Sequence, residues 1–223
     1  MKPPATAPAA RAGTPGRTSL GCLEPYTVTL SVPGSDHVAS TTSSDVLELI
    51  DLLDEAGIVH WIAGGWGIDA LVGHETRPHR DLDALVPFRR VLDVHRLLLA
   101  HGYQIEADGF PTRFEMIHES GCRVEVHPVR LDERGGGRLE MADGTWWIST
   151  KDALSARGAI GGRSVTCVSV SQQVTNHTGY EPTEKDRADM AVLAKAFSIR
   201  VPSGYALNDL ASRNTGNHRP MSS

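Results

Sequence analysis

"GGWGIDALVGHETRPHRDLD" (residues 64–83) is compatible with two mutually exclusive folds. Gly65-Trp66-Gly67-Ile68-Asp69-Ala70 satisfies the G-x-G-x-x-A fingerprint of a dinucleotide-binding βαβ unit, and Asp83 stands 18 residues beyond Gly65, near where such a unit keeps its ribose-binding acid. The same stretch closes on an alternating acid pair, Asp81-Leu82-Asp83, which suits a nucleoside triphosphate clamped by metal.

The chain around these residues favours the second reading. A βαβ crossover needs a helix long enough to carry the chain back over the sheet, but Gly73 interrupts this one after two turns and Pro78-His79-Arg80 forms a loop. Trp66 also puts a large ring between glycines whose use is close backbone approach to phosphate. In the triphosphate reading, Gly64 and Gly65 make a tight turn after a strand, and the N–H groups opening the next helix face the anion. On a strand, residues i and i+2 share a face, so Asp81 and Asp83 stand side by side while Leu82 enters the core. Two adjacent carboxylates are costly unless a divalent cation neutralises them, and hard oxygen ligands suit one or two Mg²⁺ ions. In "RVEVHPV" (123–129), Val124 and Val126 face one side and leave Glu125 and His127 on the other, which makes Glu125 the candidate third carboxylate. The competing readings are a turn or N-cap role for the Asp pair and a solvated edge position for Glu125.

Working outward, residues 1–43 are rich in Pro, Ala, Ser and Thr and read as a mobile leader with one strand-like segment, 26–32. Residues 44–198 carry the periodic pattern, with C-terminal helices from about 169, and 199–223 read as a tail. "SDVLELIDLLDEAGI" predicts a helix with Ser44 as N-cap and Gly57 as terminator. The expected class is α/β, a mixed sheet flanked by helices with a helical C-terminal end. A net charge of −5 argues against broad nucleic-acid binding, and no run of 18 apolar residues or secretory h-region is present. Cys22, Cys122 and Cys167 are too few and too scattered for a disulfide framework or structural zinc site. These features lead us to expect a cytoplasmic enzyme, monomer or homodimer, with a small-molecule partner, no nucleic acid and no membrane.

Four blocks in order, Gly64-Gly65-Trp66-Gly67-Ile68-Asp69, His79-Arg80-Asp81-Leu82-Asp83, Glu125-Val126-His127-Pro128 and His177-Thr178-Gly179-Tyr180, resemble the antibiotic nucleotidyltransferases of the lincosamide and aminoglycoside-2″ type. The stretch "FPTRFEM" (110–116) is similar to the lincosamide branch, and Glu125 stands where those proteins usually have Asp. The resemblance implies the minimal, polymerase-β-like nucleotidyltransferase fold and transfer of a nucleoside monophosphate from ATP, or else GTP, to a hydroxyl of a lincosamide. Asp81 and Asp83 would hold Mg²⁺, and Glu125 would take the acceptor proton or share the metal. Gly64, Gly65 and Lys185 would bind the nucleotide, His127 would meet the acceptor, Asp69 would hydrogen-bond within the glycine turn or to the acceptor, and Tyr180 would be a wall or stacking face for the base or the drug. Each has a plainer reading: a helix surface for Asp69, a strand-end hydrogen bond for His127, core packing for Tyr180 and an i,i+4 pair with Asp189 for Lys185. Trp146 and Trp147 either line the acceptor pocket or are buried strand aromatics. An aminoglycoside acceptor, a protein acceptor and a binding module without catalysis are the alternatives.

Overall fold

The computed structural model describes residues 40–202, 204 and 205. The expected leader before Ser40, with Cys22 and segment 26–32, and the chain beyond Tyr205 lie outside the described residues. The elements are α1 (Ser43–Glu55), β1 (Trp61–Ile62), α2 (Gly64–Val72), β2 (Leu82–Pro87), α3 (Val91–Ala100), β3 (Gln104–Gly109), β4 (Arg113–Ile117), β5 (Arg123–Leu131), β6 (Gly137–Glu140), β7 (Trp146–Ser149), β8 (Ala156–Ile160), β9 (Arg163–Cys167), α4 (Val170–Asn176) and α5 (Glu184–Phe197).

Seven strands run in the order β3-β4-β5-β2-β1-β9-β8, and the β6–β7 hairpin extends from β5. The β2–β5 and β1–β9 pairs are parallel, and the remaining pairs are antiparallel. This pairing disposes of the dinucleotide reading, because a βαβ unit joins parallel strands and here β1 meets β2 antiparallel, with Trp61 opposite Leu85. β2 lies at the centre because Leu82, Ala84, Leu85 and Val86 are all buried, whereas all six residues of edge strand β3 are exposed. Among the described residues no helix is long and apolar enough to cross a membrane.

Helix α1 follows its apolar period and buries Val46, Leu49, Ile50 and Leu53 against β2, β5 and α3 in one core. Its N-cap is Thr42 rather than Ser44: Thr42 accepts from the Asp45 N–H, and the Asp45 carboxylate accepts in return from the Thr42 backbone. Thr41 is also part of the folded unit, with Oγ1 donating to the Arg80 carbonyl at 2.9 Å and accepting from Arg123 N–H at 3.0 Å. A second cluster joins Ile68 of α2 to Met190 and Leu193 of α5 and to Tyr205, with Ile199 and Val201 packed against it. Packing therefore continues past residue 198, because a helix with apolar residues beyond its end gains by burying them. Cys122 and Cys167 are buried free thiols.

Candidate active site

The parallel β2–β5 register sets Asp83 opposite Glu125 and Leu85 opposite His127. Leu82, Val124 and Val126 point into the core, so Asp83, Glu125 and His127 share the other face, each with a ligand atom within 4.8 Å of the others. His127 Nε2 donates to Asp83 Oδ1 at 3.0 Å and lies 3.8 Å from Glu125 Oε1, to which Arg113 Nη1 donates at 2.6 Å. β5 is interior, between β4 and β2, and the Glu125 side chain is 13% exposed, so Glu125 is not an edge residue. Asp81 precedes β2 instead of lying within it and falls outside the three-residue group, yet its charge is coupled to the same corner. Burial, then Asp83, push the Asp81 carboxyl above its ordinary range. Desolvation opposes charge on Asp83 and His127 too, but their mutual hydrogen bond and attraction outweigh it, holding Asp83 below and His127 above their usual values.

Gly64 and Gly65 lie within the first turn of α2 itself. Ala63, the N-cap, offers no side-chain hydrogen bond, and first-turn N–H groups have no partner within a helix. Gly64 has φ 54°, and a Cβ there would fall on the Asp83 carboxylate. A Cβ on Gly65 would run into the His79 ring and the Arg77 guanidinium. Only glycines let the helix start this close to the acids.

Asp69 takes none of its three expected places, within the glycine turn, at the acceptor or on the helix surface. It is buried on α2, where Oδ2 meets His79 Nε2 at 2.5 Å and Oδ1 accepts from Thr76 N–H at 3.1 Å and Thr76 Oγ1 at 2.6 Å. Its period placed it on a helix face, but the returning 74–80 loop covers that face. The pair braces this loop beneath the glycine turn rather than touching the cleft.

A cleft opens beside Asp83 and His127, walled by Gly64 and Gly65, by α4 and α5, and by the β6–β7 hairpin. Lys185 lines it, and its expected partner Asp189 is engaged instead by Arg77, through Nε and Nη2 at 2.8 Å each. Tyr180 is neither core nor cleft wall: it is half exposed, beside Asp186 and Tyr205. Of the tryptophan pair, Trp147 lines the cleft while Trp146 is exposed under Arg138. The sequence reading missed Arg113, Gln173, Asn176 and Asp186 around this site; only Arg113 carried a signal, inside "FPTRFEM".

The profile of the aminoglycoside-2″-adenylyltransferase family matches residues 45–193. The chain belongs to that family. It is 30% identical over 151 residues to a lincosamide resistance protein of Staphylococcus haemolyticus, covering 68% of this chain and 93% of that one. It is 25% identical over 130 residues to a 2″-aminoglycoside nucleotidyltransferase of Klebsiella pneumoniae, covering 54% of this chain and 63% of that one. Among solved structures it superposes on the lincomycin-bound lincosamide adenylyltransferase LnuA with TM-score 0.65 and 29% identity, over 71% of this chain and 99% of that chain. The complex of ANT(2″)-Ia with adenylyl-2″-tobramycin shares the fold, with TM-score 0.54 and 20% identity over 69% of this chain and 87% of that chain. The protein is thus a nucleotidyltransferase of the polymerase-β-like fold.

Proposed function

We propose that this enzyme transfers AMP from ATP to a hydroxyl of a lincosamide antibiotic, inactivating the drug. The observation that carries the reading is the convergence of Asp83, Glu125 and His127 beside a glycine-opened helix N-terminus. The lincosamide acceptor is supported by likeness to the lincosamide relatives that exceeds, in identity and in TM-score, likeness to the aminoglycoside ones.

Mg²⁺ fits this corner: Asp81, Asp83 and Glu125 offer hard oxygen donors, and repulsion from Asp83 and Glu125 adds to burial in raising the Asp81 carboxyl. Bound there, Mg²⁺ supplies neutralisation of the triphosphate and of the charge that develops at the α-phosphorus. The first-turn N–H groups of α2 at Gly64 and Gly65, with Lys185, hold the β- and γ-phosphates. Glu125 takes the proton of the acceptor hydroxyl as its oxygen attacks the α-phosphorus in line; the bond to the β-phosphate oxygen breaks, and pyrophosphate leaves with that electron pair. His127 holds Asp83 in place through its hydrogen bond.

Incubation with ATP or GTP, Mg²⁺ and a panel of lincosamides and aminoglycosides, followed by pyrophosphate release and product mass, tests the proposal. A lincosamide product heavier by one AMP is expected, with turnover abolished by chelation of the metal. Products from aminoglycosides alone would transfer the proposal to that class, and no product from either would end it.

A further inference from the structure

In the wall of the cleft Trp147 and Asn176 are locked together. The Trp147 indole N–H donates to Asn176 Oδ1 at 2.7 Å, and Gln172 Nε2 donates to the same oxygen at 3.0 Å. An amide oxygen has two lone pairs, so both are occupied and the amide cannot flip without breaking two bonds. The Asn176 amino group, with no acceptor among the described residues, keeps its N–H donors for whatever enters the cleft that Asn176 lines. The Trp147 ring packs against the cluster of Trp61, Leu85 and Val129, so it is fixed at its edge and along its body. Leu139 and Met141 continue the same wall.

The same cleft is lined by the glycine turn and Lys185. A rigid apolar wall whose polar feature is a fixed N–H pair matches a nucleobase: aromatic and apolar faces pack on any base, and an amide reads its edge. We propose that Trp147 and Asn176 form the base-binding end of the nucleotide subsite, and that Asn176 reads the base through donors only. This rests on the cleft being the triphosphate site, and it adds which residues meet the base and what they are able to distinguish. An amide selects adenine by accepting from the 6-amino group while donating to N7. Asn176 has no free oxygen lone pair for the first of these bonds. Guanine presents N7 and O6, and adenine presents N7, so a donor serves both, and ATP and GTP are used with kcat/KM within about tenfold of each other.

Direct binding of ATP and GTP by calorimetry, together with KM for each nucleotide and for the lincosamide, tests this. Asn176→Ala removes the donors, so Kd and KM for both nucleotides rise about tenfold while the lincosamide KM moves less than about twofold. Asn176→Asp keeps one oxygen for Trp147 and Gln172 and turns a second toward the cleft, so ATP gains on GTP by about tenfold in the ratio of their affinities. Thermal melting of both variants separates these effects from unfolding. Unchanged nucleotide affinity and an unchanged ATP-to-GTP ratio overturn the proposal, and so does a rise confined to the lincosamide KM, which gives this wall to the acceptor. If wild-type protein binds neither nucleotide, the triphosphate reading of the cleft itself falls; if it binds both and the variants are indifferent, only the base assignment falls.

Discussion

At the scale of single residues, Asp83 and Glu125 differ in what surrounds them. Asp83 sits between His127 and the glycine turn, while Glu125 sits between His127 and Arg113. Asp83→Asn removes a charge from the proposed metal site, so turnover is expected to fall by about three orders of magnitude or more and nucleotide affinity to lose its Mg²⁺ dependence. Glu125→Gln keeps the side chain's size but cannot accept a proton, so nucleotide still binds while kcat falls by about 10²–10⁴. Near-wild-type turnover in the second variant removes Glu125 as the base. The pair of Asp83 and His127 also makes stability depend on pH. Asp83 is held below its ordinary value, so its contribution is present above the unfolded aspartate range and is lost as pH falls through the folded value. His127 is held above its ordinary value, so its contribution is complete below the unfolded histidine range and is lost as pH rises through the folded value. The nucleotide-free protein should therefore show a drop in Tm on the alkaline side of pH 6.5 that His127→Gln erases, and an unaltered drop in that variant assigns it to another group.

At the scale of elements, helix α2 is both the sequence signature and the part that brings its first-turn N–H groups up to the acids, where we propose that the phosphates bind. Its two bounding glycines have different jobs. Gly64 has φ 54° and no room for a Cβ, because the Asp83 carboxylate occupies that space; Gly73, the C-cap, has φ 81° and nothing within 4 Å. Gly73→Ala therefore costs only the left-handed backbone term, about 1–2 kcal/mol of stability, with activity retained. Gly64→Ala displaces Asp83 as well and lowers kcat/KM by about a hundredfold or more. Denaturant titration beside steady-state kinetics checks the contrast, and equal losses of activity in both variants would refute it. The β6–β7 hairpin is the other element that walls the cleft, and the sequence does not predict it. The strands are four residues each, and only the pairing of Leu139 with Trp147 turns them into a cleft wall.

At the scale of the whole molecule, the folded unit is wider than the periodic pattern. Thr41 bridges Arg80 and Arg123, Thr42 caps α1, and Tyr205 donates to the His177 carbonyl at 2.6 Å. A chain beginning at Thr41 is expected to melt cooperatively and stay active. One beginning at Asp45 loses the cap and the Thr41 hydrogen bonds and is less stable by about 2–4 kcal/mol. Equal melting curves for the two would show that the Thr41 and Thr42 contacts contribute nothing.

What the sequence determined by itself was whatever depends on local period and on residue type. Alternation put Leu82 in the core and Asp83 on the opposite face, although Asp81, expected beside Asp83 on the strand, precedes β2, and a two-turn helix between glycine and proline excluded the long crossover of a dinucleotide fold. The valine alternation likewise turned Glu125 and His127 toward the acids. Strand β3 escaped notice because an edge strand exposed along its whole length has no apolar alternation to show. Only the tertiary structure decided which partners the polar side chains found. Asp69 faces the loop that returns over α2, Asp189 is taken by Arg77 across 112 residues, and Asn176 is fixed by Trp147 from a hairpin 29 residues away. Hydrogen bonds and ion pairs of that kind depend on which surfaces the packed sheet and helices bring within about 3 Å, and no period along the chain encodes that distance.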